Sequence, residues 1–131
     1  MRTHAFRLHR GDDLRAGIEA YAKAHALSAA VILSCVGCVS RFRLRDATGV
    51  NIREREGHYE IVSATGTVSK DRLHIHVSRS DTELTVFGGH LAEGCIVNTT
   101  AEIVLLEMEE LSFTGAFDPE TGYTELQINP A

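Results

Sequence analysis

Apolar and polar positions along the chain switch between two periods, and the switches mark out its elements. Thr3 to His9 reads as an opening strand, and Gly11-Asp12-Asp13 supplies a turn whose carboxylate suits a helix N-cap. Leu14, Ile18 and Tyr21 then recur at spacings of four and three, with Ala22 beside them. One stripe therefore faces the interior while Arg15, Glu19 and Lys23 stay in water, and this helix is expected to end near His25. Ala29-Ala30-Val31-Ile32-Leu33 is an unbroken apolar run with β-branched residues, as a central strand covered on both faces would be, and Gly37 is expected to close it.

Beyond Gly37 the period is two. Arg41, Arg43 and Arg45 alternate with Phe42 and Leu44, which sends three guanidinium groups to one side of a strand. Residues 46–58 are polar, with Arg53-Glu54-Arg55-Glu56 at their middle, and read as a surface excursion. Residues 59–63, 73–77, 84–87 and 96–100 are short β-rich runs divided by Ser, Asp and Gly, which predicts a meander. Residues 101–111 read as a long strand, although Glu107-Met108-Glu109-Glu110 would suit a helix. Asp118-Pro119-Glu120-Thr121-Gly122 is a turn, and residues 123–128 form a last strand. The fold class is α+β, with a mostly antiparallel or mixed sheet and one main amphipathic helix, in a single domain over residues 1–131.

Composition narrows the partners more than the fold. With 44% hydrophobic and 24% charged residues, the chain is neither disordered nor fibrous. Thirteen Lys and Arg against eighteen Asp and Glu give a net charge of -5, the wrong sign for general attraction to phosphate backbones or anionic lipid. No apolar run approaches the ~20 residues of a membrane span, and no signal-peptide core follows Met1, so a cytoplasmic location is expected. Three cysteines, Cys35, Cys38 and Cys95, are too few for a disulfide framework. Cys35 and Cys38 form a C-x-x-C that follows a strand-like run and opens no evident helix, so the inert reading is taken over a redox or zinc role.

The chemistry is concentrated in the histidines. In Leu73-His74-Ile75-His76-Val77 the apolar residues take one face of a strand, so both imidazoles project from the other, about 6–7 Å apart at the backbone. Gly88-Gly89-His90 places a third imidazole after a glycine pair, where the backbone can approach a neighbouring strand closely. If the two strands pair, His74, His76 and His90 form a site for Zn2+ or another divalent ion that favours imidazole, with an open position for water or substrate. A chance alternation on a solvent-facing strand is the competing description. Arg43 or Arg45 would clamp a carboxylate or phosphate beside the ion, or else belong to a solvated face. Glu102 is a candidate proton-transfer carboxylate, or a plain strand glutamate at a sheet edge. No G-x-S-x-G, Walker loop or G-x-G-x-x-G is present.

The segments Tyr59-Glu60-Ile61-Val62-Ser63-Ala64-Thr65-Gly66-Thr67-Val68-Ser69, His74-Ile75-His76-Val77-Ser78, Val86-Phe87-Gly88-Gly89-His90-Leu91 and Thr99-Thr100-Ala101-Glu102-Ile103 together resemble the plants-and-prokaryotes-conserved (PPC) domain family in its stand-alone prokaryotic form. The likeness runs from Gly11-Asp12-Asp13-Leu14 to Tyr123. It implies a homotrimer of α+β subunits and a metal, often zinc, on His74, His76 and His90. The implied fold is similar to that of acetolactate decarboxylase, a zinc lyase with three histidine ligands, although a fold alone assigns no substrate. Family members often carry a DNA-binding label because plant relatives join the domain to AT-hooks, and this sequence has no Arg-Gly-Arg-Pro arm.

The expectation is therefore a cytoplasmic homotrimer with one divalent ion per subunit, most readily Zn2+, whose open position binds water or a small carboxylate-bearing molecule. A metal-dependent lyase or hydrolase would use Arg43 or Arg45 to orient an anionic group and Glu102 to move a proton. The alternatives are a DNA-binding regulator and a metal-dependent assembly or sensor module without turnover.

Overall fold

The computed structural model describes residues 1–131. Its elements are β1 (Arg2–His9), α1 (Leu14–Ala24), β2 (Ala30–Arg45), β3 (Ile52–Val68), β4 (Leu73–Ser80), β5 (Val86–Leu91), β6 (Ile96–Glu107), β7 (Leu111–Asp118) and β8 (Tyr123–Pro130). The first six strands form one antiparallel sheet in the order β1-β6-β2-β3-β4-β5, and β7 and β8 form a separate hairpin. The α+β class with a dominant antiparallel sheet is as the sequence predicts.

The helix starts where its cap chemistry directs. Asp13 Oδ1 accepts from the Ala16 backbone N–H at 2.9 Å, and Oδ2 accepts from the Gly94 N–H at 2.6 Å. One carboxylate thus caps α1 and ties it to the turn that follows β5. Leu14, Ile18 and Ala22 are buried along the predicted stripe and join the sheet core. Burial of the Leu14 and Ile18 side chains contributes roughly 1.5–3 kcal/mol each.

Two strands set the shape of the sheet. β2 has 16 residues and β3 has 17, and both are irregular, with register shifts between Val39 and Arg41 and between Ile61 and Ser63. Such bulges bend and twist a ladder. The sheet curls until the end of β2 reaches β5, pairing Leu44 with Leu91 and Arg45 with His90, so that β2, β3, β4 and β5 close on themselves. Phe42, Leu44, Ile75, Val77 and Leu91 are buried together in the core cluster.

Several expectations need correction. Gly37 does not end a strand. β2 runs through it to Arg45, and its missing side chain is explained by the Thr100 carbonyl oxygen of β6, which any Cβ would overlap. Ala29–Leu33 is not covered on both faces, because Leu33 is 55% exposed. The excursion placed over residues 46–58 shrinks to the turn between Arg45 and Ile52. Arg53, Glu54, Arg55 and Glu56 belong to β3 and pair with Leu44, Arg43, Phe42 and Arg41. Charges on both faces of that stretch mask its period of two. Residues 96–100 open β6, which leaves the meander to lie between β1 and β2. Residues 101–111 do not form one strand, since β6 stops at Glu107 and β7 begins at Leu111.

Candidate metal centre

The period-two argument for β4 holds at each position. Leu73, Ile75 and Val77 are buried, while His74 and His76 stand exposed on the outer face. β5 brings the third ring. His90 lies directly opposite His76 in the β4–β5 ladder and opposite Arg45 in the β2–β5 ladder. The glycine pair makes this double pairing sterically feasible. A Cβ on Gly89 would lie 2.6 Å from the Arg45 carbonyl oxygen, and one on Gly88 would lie 2.9 Å from the Val77 carbonyl oxygen.

The three rings converge. Their centroids are separated by 5.0 Å for His74–His76, 5.3 Å for His74–His90 and 5.7 Å for His76–His90. One ring nitrogen of each lies within 4.8 Å of the others, and no carboxylate or thiol belongs to the group. His90 Nδ1 is buried with no hydrogen-bond partner. A buried ring nitrogen without a proton donor or acceptor is costly unless it serves as a ligand.

Electrostatics keep these rings in the form a metal needs. Burial, then the Arg45 guanidinium, and then the two neighbouring imidazoles lower the His90 pKa from 6.5 to about 4. His74 is also lowered, by burial first and then by His76 and Arg72, against an opposing pull from Glu125. At neutral pH both rings are unprotonated, with lone pairs available.

The other candidates separate. Arg45 borders the histidines, and its buried Nε has no partner. Arg43 is engaged elsewhere, 3.3 Å from Glu54 and donating to the Glu93 carbonyl oxygen at 3.1 Å. Arg41 shares Glu54, at 2.8 Å. Glu102 sits on β6, an interior strand and not a sheet edge, where its carboxylate accepts from the Thr100 hydroxyl. It shares no hydrogen bond or ion pair with the histidines. Sequence reasoning missed Arg72, just before β4, and Glu125, in β8, which act on His74 through space. Arg72 donates to the Thr124 carbonyl oxygen at 3.2 Å, anchoring the β7–β8 hairpin beside the site. No local spacing in the sequence links β8 to β4.

This arrangement has recognisable relatives. Residues 1–109 match the Plants and Prokaryotes Conserved (PCC) domain. The chain belongs to this family. A hypothetical protein from Salmonella enterica superposes with a TM-score of 0.95 at 32% identity, covering 98% of this chain and 94% of that one. A metal-containing protein from Archaeoglobus fulgidus gives a TM-score of 0.78 at 28% identity, covering 97% and 94%. The bifunctional protein GlmU of Synechococcus sp. (strain JA-2-3B'a(2-13)) is 38% identical over 132 residues, 99% of this chain. The PCC chain spans only 21% of the length of that protein.

Two more distant structures share the fold alone. One, from Bacteroides thetaiotaomicron, bears a provisional DNA-binding designation and has a TM-score of 0.85 at 18% identity, over 95% of this chain and 91% of that one. The other, from Staphylococcus aureus, is described as similar to α-acetolactate decarboxylase and has a TM-score of 0.54 at 14% identity, over 81% and 52%.

Proposed function

We propose that this PCC domain binds one divalent metal ion, best matched by Zn2+, on His74, His76 and His90, and presents it to a small carboxylate-bearing molecule. The observation that carries this reading is the convergence of three imidazole nitrogens within 4.8 Å, from two strands that a glycine pair brings together. An all-imidazole set suits zinc, and three protein ligands leave a position for an exogenous one. The orphaned His90 Nδ1 and the unprotonated rings fit that role. The Archaeoglobus relative described as metal-containing supports it further.

Bound there, a divalent ion supplies Lewis acidity, the basis of lyase or hydrolase chemistry. The chain's own residues set what approaches it. Arg45, beside His90 and with its Nε free, is placed to orient an anionic group on the incoming molecule. Arg72 and Arg45 make the surroundings electropositive, which favours an anion as the exogenous ligand. Arg43 is held on Glu54, and Glu102 lies outside the cluster, so Arg45 is the stronger candidate of the three.

A DNA-binding role has weaker support. Two of the three aligned arginines, Arg41 and Arg43, already share Glu54, and the net charge is -5. We further propose assembly as a cytoplasmic homotrimer. Uncovered apolar side chains on the long strands, Leu33, Val36 and Val62, fit burial against other copies, and three free cysteines fit a reducing compartment.

Metal analysis of untagged protein tests the centre. Wild type should carry about one ion per chain, and His74→Ala and His90→Ala should each lose most of it. Equal metal content in all three removes the site. Sedimentation before and after chelation tests whether assembly depends on the ion, and duplex DNA titrated at low salt tests the alternative.

A further inference from the structure

On β4 the side chains that turn inward are Leu73, Ile75, Val77 and then Arg79, the opposite face from His74 and His76. Arg79 is 4% exposed, at the end of the core where an aliphatic residue would continue the pattern. Its guanidinium carbon lies 4.4 Å from the Phe42 ring centre, 4.5 Å from that of Phe87 and 4.8 Å from that of Tyr59. Three aromatic rings therefore fix where the fork sits. Its polar partners are poor. Nη1 reaches the Thr85 carbonyl oxygen at 3.4 Å and the Asp81 carboxylate at 3.8 Å, and the buried Nε has no partner at all. A buried charge left in this condition is strongly unfavourable unless an anion completes it.

Arg79 lines a cleft of about 680 Å³. Pockets for small organic ligands span about 300–1,000 Å³. Phe42, Leu44, Ile52 and Phe87 give it apolar walls, and Arg45, Arg53 and Arg55 line it along with Arg79. The two carboxylates of the cleft are committed, Asp46 to Arg53 at 3.4 Å and Glu54 to Arg41 and Arg43. Arg55 is left without an ion pair and Arg79 with only the long Asp81 contact, in a chain whose net charge is -5. Long-range attraction does not explain that concentration of guanidinium groups, whereas recognition of one anionic group does.

We propose that this cleft, centred on Arg79 on the face of β4 opposite His74 and His76 and bordering the histidine cluster only at Arg45, is a second ligand site, which takes a small organic oxyanion with an apolar body. The carboxylate or phosphate meets the Arg79 fork, and the body lies against Phe42, Ile52 and Phe87. Sodium benzoate and phenyl phosphate are suitable probes, with benzamide as the uncharged counterpart of benzoate.

The test is calorimetric titration of the full-length protein with the three probes, together with NMR observation of the Arg79 Nε–H resonance. Benzoate or phenyl phosphate should bind saturably and shift that resonance, while benzamide should do neither. Arg79→Met keeps the bulk of the stem and should weaken anion binding at least about tenfold, the usual scale for removing one charge-assisted fork. His90→Ala should leave it unchanged. Arg79→Lys retains charge without the fork and should also weaken binding, which covers the case in which Arg79→Met folds poorly. The proposal is overturned by the absence of saturable binding, by wild-type affinity in both Arg79 variants, or by loss in His90→Ala alone, which would place the anion on the metal. A change in sedimentation of Arg79→Met would also overturn it, by showing that a carboxylate of another copy fills the cleft.

Discussion

Arg45 and His90 face each other across the short β2–β5 ladder that closes the curled sheet. The same pairing that finishes the fold therefore builds the candidate metal centre, and stability and metal binding should fail together when it is disturbed. Gly89 gives the cleanest test. A methyl group there would meet the Arg45 carbonyl oxygen at 2.6 Å, backbone that can yield only by opening the ladder. Gly89→Ala should destabilise the protein by about 1–3 kcal/mol, the usual cost of overpacking. It should also lower metal occupancy without touching a ligand. Urea unfolding and metal analysis of one preparation check both outcomes, and a stable variant with full metal content would contradict them.

Asp13 joins two elements with one carboxylate, so its substitutions should be graded. Asp13→Ala removes the cap of α1 and leaves the Gly94 N–H unpaired, for a loss of about 2–3 kcal/mol. Asp13→Asn keeps an oxygen acceptor for the Ala16 N–H but turns an amide NH2 toward Gly94. It should fall between wild type and Asp13→Ala in thermal unfolding. Equal stability of the two variants would show that only one of the two bonds matters.

The sequence was legible where one face of an element is buried and the other is not. The α1 stripe, the inward Leu73, Ile75 and Val77, and the outward His74 and His76 all follow from period alone. Residues 53–56 escaped that logic because β3 carries charge on both faces there, and Gly37 escaped it because a close approach to β6 leaves the same local signature as a strand end. At the site, the three histidines could be named from spacing once their strands were assumed to pair. Glu125 and Arg72 could not, since their influence on His74 depends on where the β7–β8 hairpin docks, and no periodicity encodes that. Arg79 was passed over for a related reason. Its position in the alternation is inward, but an arginine in a polar-looking stretch reads as solvent-facing.

The cysteines should be chemically quiet. Burial pushes the Cys35 thiol up to about 11, and it does the same to Cys95 against an opposing backbone hydrogen bond from Arg43. Cys38 donates its S–H to the Asn98 carbonyl oxygen at 2.7 Å. At neutral pH roughly one Cys35 side chain in ten thousand would be thiolate, the reactive form. Native protein should therefore react with a disulfide reagent far more slowly than urea-unfolded protein, and mass spectrometry after mild oxidation should find no Cys35–Cys38 bridge. Rapid modification of the folded chain would reopen a redox role for the C-x-x-C.

Acid should weaken the metal-free protein through the histidine cluster. The folded pKa of His90 is about 4 against an ordinary 6.5, and that of His74 is lowered as well. Between those values the unfolded chain binds protons that the folded chain refuses, so falling pH favours unfolding. The contribution is fully present above 6.5 and is lost progressively as pH drops toward 4. Both rings are partly in water, which keeps the effect modest. Asp46, whose carboxyl Thr48 holds below its usual 3.8, titrates lower still and leaves this window clear. Urea midpoints measured in excess chelator should fall between about pH 7.5 and about pH 5, and the fall should be smaller in His90→Ala, which lacks one of the titrating rings. If acidification moves wild type and His90→Ala equally, the ring is not held neutral by its surroundings, and the electrostatic argument for a preformed metal centre fails with it.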